Sequence, residues 1–117
     1  ALLMATGALA EAAAVAVPDP IKGSALVIVC VFKPGVSDSA VLRGRLEQAV
    51  VQGLGTPFRP SRVLFVSDLP RTRNMKIMRR VIRAVCAGEA PGDLSALFNT
   101  EAVAELRARI TEAAKSE

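Results

Sequence analysis

One lysine in a polar, basic loop is the side chain of this sequence best placed to do chemistry. Pro70 and the polar residues after it predict an exposed loop over residues 69–75, and a helix is expected from Lys76 to Ala87. A lysine at the junction of a loop and a helix N-terminus is positioned to hold an anion, which the helix dipole also attracts. The sequence therefore predicts an anion at Lys76, and spacing alone does not identify which one.

Positive charge is concentrated around this lysine. The chain has 117 residues and a net charge of +4, whereas residues 59–83 alone carry eight basic side chains and one acidic side chain, for a net +7. The rest of the chain therefore sums to −3. Such a patch suits phosphates or carboxylates, and a solvated helix face with its loop is the simpler alternative.

The composition excludes several classes of site. There is no histidine, which removes Ser–His and Cys–His nucleophile pairs and histidine-ligated metal sites. The chain lacks Trp and Tyr and is only 3% aromatic, so platforms for stacking nucleic-acid bases are scarce. Chemistry is therefore left to lysine, arginine, carboxylate and hydroxyl side chains.

Cysteine usage and hydropathy indicate the compartment. Cys30 and Cys86 each lie in an apolar run and are expected to be free, buried and structural, which fits a reducing, cytoplasmic location. The longest apolar run, residues 25–32, is far shorter than the roughly 20 residues of a membrane-spanning helix, and no membrane association is expected. Because the chain does not begin with Met, we expect it to be a piece of a longer protein.

Hydrophobic periodicity places the loop in a compact α+β domain, a small three-stranded sheet flanked by helices. A helix is expected to end within residues 1–8, and residues 12–17 fit either a helix or a strand. The other predicted elements are a strand buried on both faces at 24–32, a turn at 33–35, a helix capped by Ser37 and ended by Gly53 and Gly55, a strand at 63–66, and helices at 76–87 and 101–114.

The segment from Leu69 to Arg80, Leu-Pro-Arg-Thr-Arg-Asn-Met-Lys-Ile-Met-Arg-Arg, resembles the C-terminal signature of AMP-forming acyl-CoA synthetases. In this branch of the adenylate-forming superfamily the signature reads roughly Leu-Pro-Lys-Thr-x-x-Gly-Lys-Ile-x-Arg-Arg, and acetyl-CoA synthetases are the group it resembles most. Residues 11–23, Arg59-Pro60 and Ala87-Gly88-Glu89 also fit the family, in the same order. The resemblance covers about residues 8–110.

The resemblance implies that residues 1–117 form a single mobile C-terminal cap domain. Residues 1–8 would be the end of the post-hinge helix, residues 9–88 the core with a lysine loop at 69–76, and residues 89–117 a C-terminal linker and helix. The hinge and the N-terminal adenylation domain of the same polypeptide would lie upstream of this sequence. The chain alone is therefore predicted to be inactive.

The implied activity has two steps. A carboxylic acid and ATP form an acyl-adenylate and pyrophosphate, the cap rotates, and the thiol of CoA then displaces AMP. Acetate or another short acid is the implied substrate. Mg²⁺ is expected to be bound through the nucleotide and the N-terminal domain, with no metal site in this chain, and no nucleic acid is expected as a partner.

The site residues follow from the same resemblance. Lys76 matches the family's lysine that contacts the substrate carboxylate and the nucleotide during adenylation, and this lysine is an acetylation target in relatives. The implied substrate- and nucleotide-binding loop consists of Arg71, Thr72, Arg73 and Asn74. The implied CoA contacts are Arg59, Lys22 and Gly23.

Two departures from the family pattern matter for the site. Met75 stands where the family has glycine, so the loop is predicted not to use a conformation open only to glycine. Val51-Gln52 stands where acetyl-CoA synthetases tend to have a basic pair that meets the CoA phosphate, which leaves Arg59 as the better candidate.

The other basic residues have a structural interpretation. Arg79 and Arg80 are expected to bind loop carbonyls or an acidic neighbour, and Asp68 is expected to pair with one of them. Two alternatives to an enzyme fragment stay open, namely a stand-alone regulatory homologue of the cap and a small basic module that binds nucleic acid.

Overall fold

The computed structural model describes residues 9–36, 40–54 and 60–115, which form an α+β fold around a three-stranded sheet. In chain order its elements are β1 (Leu9–Asp19), β2 (Gly23–Phe32), α1 (Ala40–Leu54), β3 (Arg62–Phe65), α2 (Arg79–Cys86) and α3 (Thr100–Lys115). The fold class predicted from the sequence is confirmed. The expected helix within 1–8, the Ser37 cap and Gly55 lie outside the described residues.

β2 is the central strand of the sheet, antiparallel to β1 and parallel to β3. Its β-branched run is buried on both faces, as predicted. Val27 and Val29 belong to one hydrophobic cluster, and Ile28 and Cys30 belong to another. Because β2 and β3 are parallel, the chain has to return across the sheet between them, and α1 lies in that connection.

The two hydrophobic clusters lie on opposite faces of the sheet, since successive residues of a strand point to opposite sides. α2 and α3 cover one face, with Val81, Val85 and Leu106 in its cluster. α1 covers the other face, where Leu46 is fully buried. The sheet is therefore the middle layer of three.

The stretch that fitted either a helix or a strand lies in β1. Ala13, Val15 and Val17 are buried whereas Ala14 and Ala16 are exposed, which is the two-residue period of a strand. Alanine favours a helix in isolation, and here pairing with β2 overrides that preference.

α2 begins at Arg79, so the predicted helix start at Lys76 is wrong. Arg71 and Ile77 form an antiparallel bridge that holds the chain extended up to the helix. The predicted stop is confirmed, because Gly88 follows the helix with a φ of 74°.

The other predicted elements agree with the structure to within one residue at the ends that are described. α1 continues to Leu54, one residue past Gly53, and α3 extends one residue beyond the prediction at each end. The turn at 33–35 is present, with Gly35 at a φ of 84°. None of the helices in the described ranges is long and apolar enough to cross a bilayer.

Both cysteines are free. Cys30 is fully buried, whereas Cys86 is only partly buried, contrary to the expectation that both lie in the core. Burial raises the pKa of the Cys30 thiol to about 12 and that of Cys86 to about 11. Both thiols therefore stay protonated at neutral pH, which fits a structural role.

Candidate active-site loop

The lysine loop, residues 69–76, ends in a tight hairpin. The Thr72 amide donates to the Lys76 carbonyl (2.8 Å), and the Met75 amide donates to the Thr72 carbonyl (2.8 Å). The Thr72 hydroxyl accepts the Lys76 amide (3.2 Å). These bonds match the three-residue hairpin loop in which a turn is followed by one left-handed residue. The tip therefore holds Arg73, Asn74, Met75 and Lys76 exposed to solvent.

Met75 is that left-handed residue, with a φ of 66°. The left-handed region favours glycine but is also open to other residues, so this φ does not contradict the expectation that the loop avoids a conformation open only to glycine. Left-handed backbone costs a non-glycine residue roughly 1–2 kcal/mol, and the hydrogen bonds on both sides of the hairpin hold Met75 there. The side chain is 48% exposed next to Lys76.

Arg71 anchors the base of the loop to β1. Its guanidinium pairs with Glu11, and with the Asp68 carboxylate at 3.0 Å, and its side chain is only 11% exposed. Burial alone would lower the pKa of this guanidinium, but the hydrogen bonds and charges of Glu11 and Asp68 outweigh burial and raise it. Arg71 thus points into the protein, unlike the tip residues that the sequence grouped with it.

Asn99, the residue before α3, is 2% exposed and binds the same base. Its side-chain oxygen accepts the Arg71 amide (3.0 Å), and its side-chain nitrogen donates to Asp68 (3.0 Å) and to the Leu69 carbonyl (2.9 Å). Sequence reasoning missed this residue. An asparagine just before a helix suggests only a cap, and nothing in its spacing points 28 residues back to Arg71.

The backbone next to Asn99 reinforces the contact. The Phe98 amide donates to the Arg71 carbonyl (2.9 Å), and Thr72 forms an antiparallel bridge with Leu97. Residues 71–72 therefore pair with Ile77 on one side and with residues 97–98 on the other. Backbone pairing on both sides of residues 71–72 therefore holds the base of the lysine loop.

Most of the arginines near Lys76 are bonded within the fold. Arg73 donates to the Ser95 carbonyl (3.1 Å), and Arg80 donates to the carbonyls of Pro91 and Asp93. On the other side of α2, arginine side chains donate to carbonyls of β1, Arg79 to Ala14 (3.3 Å) and Arg83 to Ala16 (3.0 Å).

Two predictions about these side chains are thereby decided. The expectation of a bond to a loop carbonyl is confirmed for Arg80, whereas Arg79 binds a carbonyl of strand β1 instead. The expectation that Asp68 pairs with one of them is wrong, because Asp68 pairs with Arg71.

The Lys76 ammonium is exposed and makes no hydrogen bond or ion pair with any residue of the described ranges.

Lys22 and Gly23 lie in the β1–β2 turn, residues 19–23, at the far end of β1. The Asp19 carboxylate accepts hydrogen bonds from the amides of Ile21 (2.8 Å) and Lys22 (2.9 Å). Both bonds lower the pKa of Asp19, and the bond from Lys22 has the larger effect. From Glu11, which pairs with the lysine loop, to Asp19 is about 27 Å along the strand at about 3.4 Å per residue. The structure therefore keeps Lys22 and Gly23 apart from Lys76.

The remaining candidates give less geometry. Arg59 lies outside the described residues, and Gln52 is exposed on α1. Across the described ranges, no group of three or more histidine, cysteine, aspartate or glutamate side chains is arranged to hold a metal ion.

Comparison with known proteins agrees with the signature at the lysine loop. Residues 1–76 match the family model described as the AMP-binding enzyme C-terminal domain. The chain is 41% identical to 3-hydroxypropionyl-coenzyme A synthetase of Sulfurisphaera tokodaii, over 93% of this chain and 16% of that protein. It is 45% identical to acetyl-coenzyme A synthetase of Methanothrix thermoacetophila, over 82% of this chain and 15% of that protein. The chain thus spans about a sixth of the length of these relatives.

The fold is also similar to that of a solved structure. The superposition on the acetoacetyl-CoA synthetase from Streptomyces lividans has a TM-score of 0.73. It includes 99% of this chain and 17% of the synthetase chain. At 14% identity this likeness concerns the fold alone.

Proposed function

The chain belongs to the family of AMP-binding enzyme C-terminal domains, and from this membership we propose that it is the mobile cap of an AMP-forming acyl-CoA synthetase. The parent enzyme would activate acetate or another short carboxylic acid with ATP and transfer the acyl group to CoA. The acids in the names of the two relatives, acetyl and 3-hydroxypropionyl, support a short acyl chain. The observation that carries the proposal is the exposed Lys76 ammonium on a firmly held hairpin.

Lys76 serves the adenylation step in this proposal. A carboxylate oxygen of the acid attacks the α-phosphorus of ATP, the new oxygen–phosphorus bond forms, and the bond to the pyrophosphate oxygen breaks. The reacting oxygens are anionic throughout, and a positioned ammonium stabilises the charge that develops on them. Because Lys76 has no partner to give up among the described residues, its charge is available to these oxygens.

The rest of the lysine loop supports this role in two ways. Thr72, Arg73 and Asn74 are proposed to line the substrate and nucleotide at the hairpin. Arg71, also proposed for that loop, is held by Glu11 and Asp68, which supports a part in fixing the loop's base. Acetylation of Lys76 would remove its charge and with it the adenylation step.

The thioester step is proposed to use the other end of β1. After the cap rotates, Lys22 and Gly23 in the β1–β2 turn would meet CoA, together with Arg59. Lys22 is exposed, and the turn is separated from the lysine loop by most of the length of β1. Two separate lysines suit two steps that present different parts of the cap to the same active site.

The parent supplies what this chain lacks in the proposal. The N-terminal adenylation domain of the same polypeptide would be the principal partner, and Mg²⁺ would come with the nucleotide and be held there, since no metal-holding group lies in the described ranges. The free cysteines support a cytoplasmic location. The scarcity of aromatic side chains favours this proposal over a nucleic-acid-binding module, because it leaves few platforms on which bases could stack.

The test compares Lys76→Ala with Lys22→Ala in the full-length parent enzyme. Lys76→Ala is expected to lower acid-dependent ATP–pyrophosphate exchange by about 100-fold or more, and to spare thioester formation from supplied acyl-adenylate. Lys22→Ala is the matched control, since it removes the same charge from the other turn. It should leave exchange unchanged and raise the KM for CoA several-fold.

Two outcomes would contradict the proposal. Equal loss of both half-reactions in Lys76→Ala would remove the step-specific role of this lysine. A gene whose reading frame encodes no adenylation domain upstream of this sequence would favour the stand-alone regulatory homologue.

A further inference from the structure

We propose that Asn99 is a positioning residue for Lys76, so that the segment before α3 controls the adenylation step. The inference rests on the proposed function of Lys76. It adds a residue outside the signature segment and assigns it a specific task, which is to fix the loop's base by accepting the Arg71 amide.

The Asn99 side chain makes three hydrogen bonds, all of them to the start of the loop. Its amide group uses both ends at once, accepting from the Arg71 amide at 3.0 Å and donating to Asp68 at 3.0 Å and to the Leu69 carbonyl at 2.9 Å. All three partners lie in the four residues 68–71 at the start of the loop. At 2% exposure, water cannot readily replace these contacts.

A short path of hydrogen bonds leads from Asn99 to Lys76. Arg71 receives the bond from Asn99, and its neighbour Thr72 closes the hairpin by donating to the Lys76 carbonyl at 2.8 Å and accepting the Lys76 amide at its hydroxyl. A shift of the Arg71 amide therefore moves the residue that holds Lys76 on both its backbone groups. Chemistry that depends on a positioned charge loses rate steeply when that charge is displaced by about 1 Å.

Asn99 also links the loop to α3, whose buried face packs in the main hydrophobic cluster. Leu106 and Val103 of α3 are buried in the main hydrophobic cluster, and the Ala102 amide donates to the Asn99 carbonyl at 3.0 Å. Asn99 thus transfers the fixed position of α3 to the loop. The fold needs the burial of α3, whereas the placement of Lys76 needs the Asn99 side chain.

The experiment uses the full-length parent enzyme with four variants. Asn99→Ala removes all three side-chain bonds. Asn99→Asp keeps the acceptor for the Arg71 amide but removes the donor to Asp68 and Leu69, so it separates the acceptor bond from the two donor bonds. Val103→Ala is the matched control, a core truncation on the first turn of α3 that leaves the loop's bonds in place, and Lys76→Ala is the reference for loss of the charge.

Four quantities are measured for each variant: the kcat of acid-dependent ATP–pyrophosphate exchange, the rate of thioester formation from supplied acyl-adenylate, the melting temperature, and hydrogen exchange in a peptide covering the lysine loop. Asn99→Ala should lower the exchange kcat roughly 10- to 100-fold, keep thioester formation within about twofold, and speed amide exchange in the loop peptide. Asn99→Asp should recover only part of the kcat, because its second oxygen would face the Asp68 carboxylate and the Leu69 carbonyl without a proton to donate. Val103→Ala should lower the melting temperature and leave the exchange kcat within about twofold.

The outcomes separate this inference from the proposed function. If Lys76→Ala keeps its pyrophosphate exchange, the proposed function fails, and the Asn99 assignment fails with it. Two results would overturn only the Asn99 assignment, provided that Lys76→Ala loses pyrophosphate exchange. In the first, Asn99→Ala keeps its exchange. In the second, Asn99→Ala loses both half-reactions in proportion to the fall in its melting temperature, as Val103→Ala does. Should Asn99→Ala not fold, Asn99→Ser makes the same comparison, because its side chain is too short to bridge Arg71 and Leu69.

Discussion

Two turns of this chain each present an exposed lysine beside a residue with positive φ. In the lysine loop Met75 has a φ of 66° and precedes Lys76, and in the β1–β2 turn Gly23 has a φ of 87° and follows Lys22. Each tip also exposes an apolar side chain, Met75 at 48% and Ile21 at 93%.

The bases of the two turns differ. The β1–β2 turn is held by its own strands and by local bonds to Asp19. The lysine loop is held by side chains from two distant parts of the chain, Glu11 in β1 and Asn99 before α3, and by the adjacent Asp68. A turn that only connects strands needs no such support, and the difference indicates which lysine must keep a fixed position.

The largest expected effect comes from breaking the base of the lysine loop. Arg71→Met keeps most of the side-chain volume but leaves Glu11 and Asp68 without their cation. Since Arg71 is mostly buried while both carboxylates stay partly hydrated, we expect a loss of about 2 kcal/mol of unfolding free energy, between the values for exposed and buried pairs. Urea denaturation of this chain measures it.

The matched change at the other turn is Lys22→Met, which should alter stability by less than about 0.5 kcal/mol, as surface substitutions usually do. If the two variants lose the same free energy of unfolding, the additional contacts at the base of the lysine loop contribute no extra stability.

The next effect tests the two left-handed residues, with opposite signs. Gly23→Ala should cost about 1 kcal/mol from backbone strain alone, because no atom lies within 4 Å of the added Cβ. Met75→Gly should raise stability by about 0.5 kcal/mol, since relief of strain exceeds the added freedom of the unfolded chain. Urea denaturation of both variants gives the values, and a loss of stability in Met75→Gly would mean that the methionine side chain contributes packing to the hairpin.

The smallest effect is a pH dependence of the β1–β2 turn. The pKa of Asp19 is lowered below its ordinary 3.8 by the amides of Lys22 and Ile21. Its contribution to stability is therefore complete above about pH 3.8 and is lost as the pH falls through the lowered value. Carboxyl carbon chemical shifts should give this pKa directly, and Asp19→Asn should weaken the acid dependence of unfolding relative to the wild type. An Asp19 that titrates at 3.8 or above would show that the turn's bonds are absent in solution.

Much of the fold could be predicted from local patterns. The run from Val27 to Cys30 identified β2 as a strand buried on both faces, and Gly88 marked the end of α2. The start of α2 could not be predicted, because the pairing of Arg71 with Ile77 depends on chain outside the helical pattern. The same holds for β1, where pairing with β2 decides against the helix preference of alanine.

At the lysine loop, too, local patterns could be recognised in the sequence and long-range contacts could not. The resemblance to the signature singled out Lys76, whose role stays a prediction, and the charge count indicated its basic surroundings. The support at Asn99 was not readable, since it depends on a contact across 28 residues that leaves no periodic trace. The left-handed φ of Met75 could not be predicted from its residue type, because a preference of about 1 kcal/mol is smaller than the combined effect of the hairpin's hydrogen bonds.

The contact of Arg79 and Arg83 with β1 also bears on how the domain behaves among other proteins. β1 is a terminal strand of the sheet, and such strands invite pairing with any extended segment that meets them. The two guanidinium groups occupy the carbonyls of Ala14 and Ala16, and their charge repels further basic chains. Arg79 and Arg83 of α2 therefore protect this terminal strand against pairing with other chains.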